Sequence, residues 1–132
     1  MDNLSKSSEK LVLIVDDDES VRDLLEFIVK KEGFRVEKAC DGQEAIEKAK
    51  KLFPDLILLD LMLPRYGGFE ILRELQGDET AKIPIIIITG KYTDRSTSDM
   101  IKQEINVVEF IEKPVKTNVL AAILHKILKT TP

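Results

Sequence analysis

The 132-residue chain has a single cysteine, Cys40, so an internal disulfide is excluded and a reducing compartment, the cytoplasm, is the expected address. It also has a single histidine, His125, and no second ligand accompanies it, which argues against a metal or phosphohistidine role; beside Lys126 it is expected to be exposed. Basic residues are outnumbered, 20 Lys and Arg against 24 Asp and Glu. The resulting charge of −4 works against a nucleic-acid partner, because phosphate backbones demand a basic surface. Long apolar runs are missing too, so no membrane span is expected, and the polar stretch Met1 to Lys10 has nothing of signal-peptide character. Repeats and linkers are absent. What is present is an ordinary globular mix, 43% hydrophobic and 33% charged, in a length that fits one domain.

Apolar periodicity divides the chain into alternating elements. Leu11 to Val15 reads as a strand buried on both faces, followed by a helix with Val21, Leu24, Leu25 and Ile28 on one stripe, capped by Asp18 and stopped at Gly33. Phe34 to Ala39 predicts a second strand, with Cys40 at its end as a small buried filler. A turn at Asp41-Gly42 leads into a helix faced by Ala45, Ile46 and Ala49, ended by Pro54. Asp55 to Asp60 is a third strand, Leu61 to Gly68 a loop, and Phe69, Leu72 and Leu75 space a third helix. Pro84 opens a fourth strand, Ile85 to Ile88, ending at Thr89-Gly90. A polar segment from Lys91 to about Asn106 has a weak helical pattern in Met100, Ile101 and Ile105. Val107 to Ile111 is a fifth strand, Lys113-Pro114 breaks it, and Val119, Leu120, Ile123 and Ile127 mark a last helix.

Five strands alternating with five helices imply right-handed βαβ units and a parallel sheet covered on both faces. The expected architecture is α/β: a five-stranded parallel sheet of order 2-1-3-4-5, flavodoxin-like and doubly wound. It should span residues 11–129, with a flexible tail at 1–10 and a short one at 130–132.

In such a sheet ligands bind outside the carboxyl ends of the strands, where the strand order switches direction. Strand one ends in Asp16-Asp17, strand three in Asp60, strand four in Thr89 and strand five at Lys113. With order 2-1-3-4-5 these ends converge. Carboxylates gathered there repel one another unless a cation intervenes, and a hard divalent ion such as magnesium takes oxygen ligands while leaving room for a phosphate. Asp60 could then act as a nucleophile toward a phosphoryl donor, with Thr89 and Lys113 bonding the transferred oxygens.

These residues, read as VDDD after strand one, LLDLMLP around strand three, IIIITG at strand four and FIEKP at strand five, resemble the receiver family of two-component response regulators, from Leu11 to Leu128. The resemblance implies that Asp60 is phosphorylated and that Asp17 is a direct metal ligand, with Asp16 acting mostly through bound water. The backbone carbonyl of Met62 is implied as a further ligand, for magnesium or alternatively manganese. Thr89 and Lys113 would be the switch hydroxyl and lysine, and Phe110 stands where the family places a mobile aromatic; core packing is its bland alternative. The implied donor is a sensor histidine kinase or histidine phosphotransfer protein, and the output a contact with an unknown downstream protein, without nucleic acid or membrane. Such a domain catalyses only its own phosphorylation and dephosphorylation. Gly67 stands where the family commonly has aspartate, and Lys91 to Asn106 lacks the usual apolar run.

Three other functions share parts of this pattern. A flavodoxin-like electron carrier needs an uncharged phosphate loop after strand one, whereas Asp16-Asp17-Asp18-Glu19 would repel phosphate. An aspartyl-phosphate hydrolase usually has a second acid two positions after its nucleophile, where Met62 stands. A receiver that has lost phosphorylation would not be expected to keep Asp17, Asp60, Thr89 and Lys113 together.

Overall fold

The computed structural model describes residues 6–61, 68–77, 79–90 and 106–131. Five strands, β1 (Leu11–Val15), β2 (Arg35–Ala39), β3 (Leu56–Asp60), β4 (Ile85–Thr89) and β5 (Val107–Glu112), form one sheet in the order β2-β1-β3-β4-β5. Every neighbouring pair is parallel. Four helices are described, α1 (Glu19–Lys31), α2 (Gly42–Leu52), α3 (Gly68–Leu75) and α4 (Thr117–Leu128). The doubly wound fold expected from the sequence is therefore present, with four described helices where five were expected. The weak pattern at Met100, Ile101 and Ile105 lies outside the described residues.

The central strands are apolar throughout because both of their faces are covered. Odd-numbered side chains (Leu13, Val15, Ile57, Leu59, Ile85, Ile87) pack with Ala45 and Ala49 of α2 and Ile71, Leu72 and Leu75 of α3. Even-numbered ones (Val12, Ile14, Leu56, Leu58, Ile86, Ile88) pack with Leu25, Ile28 and Val29 of α1 and Leu120, Leu124 and Leu128 of α4. Each such buried side chain contributes about 1.5–3 kcal/mol of transfer free energy, so the two faces supply most of the drive to fold. Edge strands β2 and β5 are more polar and only partly buried, which suits strands with one unpaired side.

Local chemistry sets the helix ends. Asp18 Oδ1 accepts hydrogen bonds from the backbone N–H of Ser20 (2.9 Å) and Val21 (3.4 Å) and from the Ser20 hydroxyl (2.7 Å), capping α1. The Ser20 hydroxyl, followed by these two N–H groups, holds the Asp18 carboxyl below its ordinary value. Gly33, at φ +93°, takes the left-handed conformation that ends the helix. Asp41 caps α2 through the N–H of Glu44 at 2.8 Å, and Phe53 closes it in a left-handed conformation at φ 45°.

Three sequence expectations need correction. Leu24 is 46% exposed: α1 is anchored by Leu25, Ile28 and Val29, a narrower stripe than the one expected. On α4, by comparison, Leu120, Leu124 and Leu128 line up at four-residue steps under the sheet. Cys40, just past the end of β2, is exposed, and Ala39 is the small residue packed there.

His125 is the third and largest departure, being buried rather than exposed. Its ring lies 5.1 Å from that of Phe34, Nδ1 is 2.6 Å from Thr130 Oγ1, and Nε2 is 2.8 Å from Glu32 Oε1. The Thr130 hydroxyl can donate or accept, so both ring nitrogens are satisfied whether the imidazole is neutral or charged. This clasp joins the end of α4 to the end of α1 and the start of β2.

Candidate functional site

Alternation along the strands and parallel register bring the site together. Asp16 continues the even-numbered series of β1, and Asp60 is the last even position of β3. In the β1–β3 ladder Val15 pairs with Leu59, so Asp16 and Asp60 are the next neighbours across the strands. This is also where the strand order reverses direction, with β2 on one side of β1 and β3 on the other. Asp16 and Asp60 are buried and Asp17 is exposed; one carboxylate oxygen from each lies within 4.8 Å of the others.

Lys113 enters from the far side. It follows β5, whose position in the sheet is beyond β4, and its backbone N–H donates to Thr89 O at 2.7 Å. Its long side chain crosses the end of β4 to place Nζ 2.9 Å from Asp16 Oδ2 and 3.5 Å from Asp60 Oδ2. Burial alone would depress the amine's pKa. The hydrogen bond to Asp16 and the charges of Asp60 and Asp16 outweigh it, so the pKa lies above the ordinary lysine value. Thr89 is buried at the end of β4. Phe110 is half-buried against the cluster under α2 and α3. Met62 lies outside the described residues.

Sequence reasoning passed over Arg22. Its Nη1 donates to the backbone carbonyl of Asp16 at 2.8 Å. The available signal was position: four residues after the Asp18 cap, Arg22 sits one turn above it and so on the side facing the strand ends.

The donor set suits a hard divalent cation. Three carboxylates converge, two of them buried, and a single ammonium shared between Asp16 and Asp60 leaves the cluster negative. Among the described residues no other group of three or more His, Cys, Asp or Glu side chains converges in this way.

Fold and site together define a doubly wound α/β domain with an acidic pocket at its topological switch point. The chain belongs to the receiver family of response regulators, since the model of the response regulator receiver domain matches residues 12–125. Solved structures agree. A signal receiver domain from Vibrio parahaemolyticus is 28% identical with a TM-score of 0.84, covering 91% of this chain and 90% of that one. A CheY-like receiver domain protein from Methanospirillum hungatei JF-1 is 30% identical with a TM-score of 0.83, covering 91% and 94%. The chemotaxis protein CheY4 of Vibrio cholerae is 29% identical with a TM-score of 0.81, covering 90% and 98%. The chain is thus a signalling domain of the two-component kind. No described helix is long and apolar enough to cross a membrane.

Proposed function

We propose that this receiver domain accepts a phosphoryl group on Asp60 from a phosphohistidine, carried by a sensor histidine kinase or histidine phosphotransfer protein. The observation that carries the reading is the meeting of Asp60 with Asp16, Asp17 and Lys113 at one edge of the sheet. In the reaction an Asp60 carboxylate oxygen bonds to phosphorus, the P–N bond breaks with its electron pair leaving on the imidazole nitrogen, and an acyl phosphate results.

Asp16, Asp17 and Asp60 would hold the cation, with the backbone carbonyl of Met62 as a further ligand. Magnesium, or alternatively manganese, supplies neutralisation of carboxylate and phosphoryl charge when bound. Lys113 needs to move little: already within 3.5 Å of Asp60, its amine pairs with one phosphoryl oxygen. The Thr89 hydroxyl donates to another. Movement of Thr89, together with Phe110, then shifts the balance between two arrangements of the β4/β5 face, which a downstream protein reads. The domain acts only on itself, consistent with a cytoplasmic phosphorelay component.

The test is incubation with acetyl phosphate, with and without magnesium, and mass spectrometry to locate the modified residue. Label is expected on Asp60 only when magnesium is present. Asp60→Asn abolishes it, while Asp18→Asn, which keeps a capping side chain, retains most. Equal loss in both variants would reject the assignment.

A further inference from the structure

We infer that Arg22 is a positioning residue for the acidic pocket: by holding the carbonyl of Asp16 it sets the Asp16–Asp17 peptide, and with it the placement of the Asp17 carboxylate. The inference rests on the proposed role of Asp17 and Asp60 in holding a cation.

In a parallel ladder the N–H and C=O of a paired residue point toward the same neighbouring strand and bond to residues two apart on it. The Asp16 N–H donates to Ala39 O of β2 at 3.2 Å. Its carbonyl therefore faces the place where residue 41 would donate, but the chain leaves the sheet there, with Asp41 serving as the cap of α2. Arg22 supplies the missing donor at 2.8 Å.

With that bond, all four polar atoms of Asp16 have partners. Oδ1 accepts from the Asp18 N–H at 2.9 Å and Oδ2 from Lys113 at 2.9 Å, in addition to the two main-chain bonds. Asp16 is thus tied to β2, to α1 and to the segment after β5. Asp17 is different. Its side chain is exposed, so where its carboxylate stands relative to Asp60 is decided by the main chain that carries it. Arginine suits the task because its planar fork is pre-organised and always charged.

The sign of the effect separates positioning from charge alone. Removing a cation beside three carboxylates should, by electrostatics only, tighten metal binding. Removing a support should loosen it, and supports of metal ligands are typically worth about 10–100-fold in affinity. Titration calorimetry of magnesium chloride into wild type, Arg22→Gln and Arg22→Lys is the test. Arg22→Gln is expected to bind about tenfold more weakly, and Arg22→Lys, which keeps one donor, to recover part of the loss. The magnesium concentration for half-maximal labelling by acetyl phosphate should rise by the same factor. Unchanged or tighter magnesium binding by folded Arg22→Gln overturns the inference. If Arg22→Gln does not fold, Arg22→Met, which keeps the stem, carries the same expectation. A wild type that binds no magnesium, or is labelled elsewhere than Asp60, would instead sink the reading beneath it.

Discussion

The Lys113 amine stands 2.9 Å from Asp16 and 3.5 Å from Asp60, so its shorter contact is with the carboxylate that is not the proposed phosphoacceptor. One ammonium thereby spans two buried acids, and Asp17 adds a third negative group at the rim. A cation of the proposed kind would reduce the repulsion among these three carboxylates.

Lys113 should show this in its pH dependence. Its folded pKa is raised above the ordinary 10.5, because the Asp16 bond and the Asp60 charge outweigh the opposing effect of burial. A raised cationic pKa contributes stability in full below the unfolded value and loses it as pH rises through the folded one. Urea unfolding of wild type and Lys113→Met should therefore differ by about 1 kcal/mol near neutrality, discounted for partial exposure. The gap should close only above pH 10.5. A gap that closes between pH 6 and 9 (about the range where lysine stays charged) would contradict the pairing.

Relieving the repulsion should stabilise the protein at the expense of its proposed chemistry. Without divalent ions, Asp17→Asn is expected to gain about 1 kcal/mol at low ionic strength, less in added salt. Wild type should catch up as magnesium is added, by mass action on the folded state, whereas the variant responds weakly. Urea melts in EDTA and in magnesium would show it. A variant less stable than wild type in EDTA would argue against an unrelieved acidic cluster.

The clasp at His125 lies with the ends of α1 and α4 and the start of β2, away from the carboxyl edge of the sheet. His125→Ala should cost about 2–3 kcal/mol, through lost packing on Phe34 and lost bonds to Glu32 and Thr130. Thr130→Val, which removes one hydroxyl partner, should cost about 1 kcal/mol. Thermal unfolding measures both, and labelling of Asp60 by acetyl phosphate should survive in each variant that folds.

Phe53 presents the opposite case, a bulky residue held at φ 45° and half exposed. Left-handed backbone costs a non-glycine residue about 1–2 kcal/mol, part of which glycine's own chain entropy takes back. Phe53→Gly should therefore raise stability by about 0.5 kcal/mol in urea unfolding. A clear loss would mean that the exposed ring contributes packing worth more than the strain.

Much of this could be read before any coordinates. Leu11 to Val15, Leu56 to Leu59 and Ile85 to Ile88 are apolar on both faces, which only a doubly covered strand tolerates. Their polar ends pointed to Asp16, Asp17, Asp60 and Thr89, and the end of β5 to Lys113. What was misread depended on which side of an element meets another. His125 looked like a surface residue because Glu32 lies 93 positions away, and nothing local announces such a partner. Cys40 looked buried because it directly follows the strand, but it lies one position past the buried Ala39, and alternation turns successive side chains to opposite sides.

Element type, alternation and the chemical character of the strand ends were determined by the sequence itself, since period, caps and breakers act within a few residues. Tertiary structure alone decided that Lys113 reaches Asp16 across 97 positions and that Arg22 takes up the Asp16 carbonyl. Those contacts arise from strand order, register and the point where β2 turns away, properties of the assembled sheet that no short stretch of chain encodes.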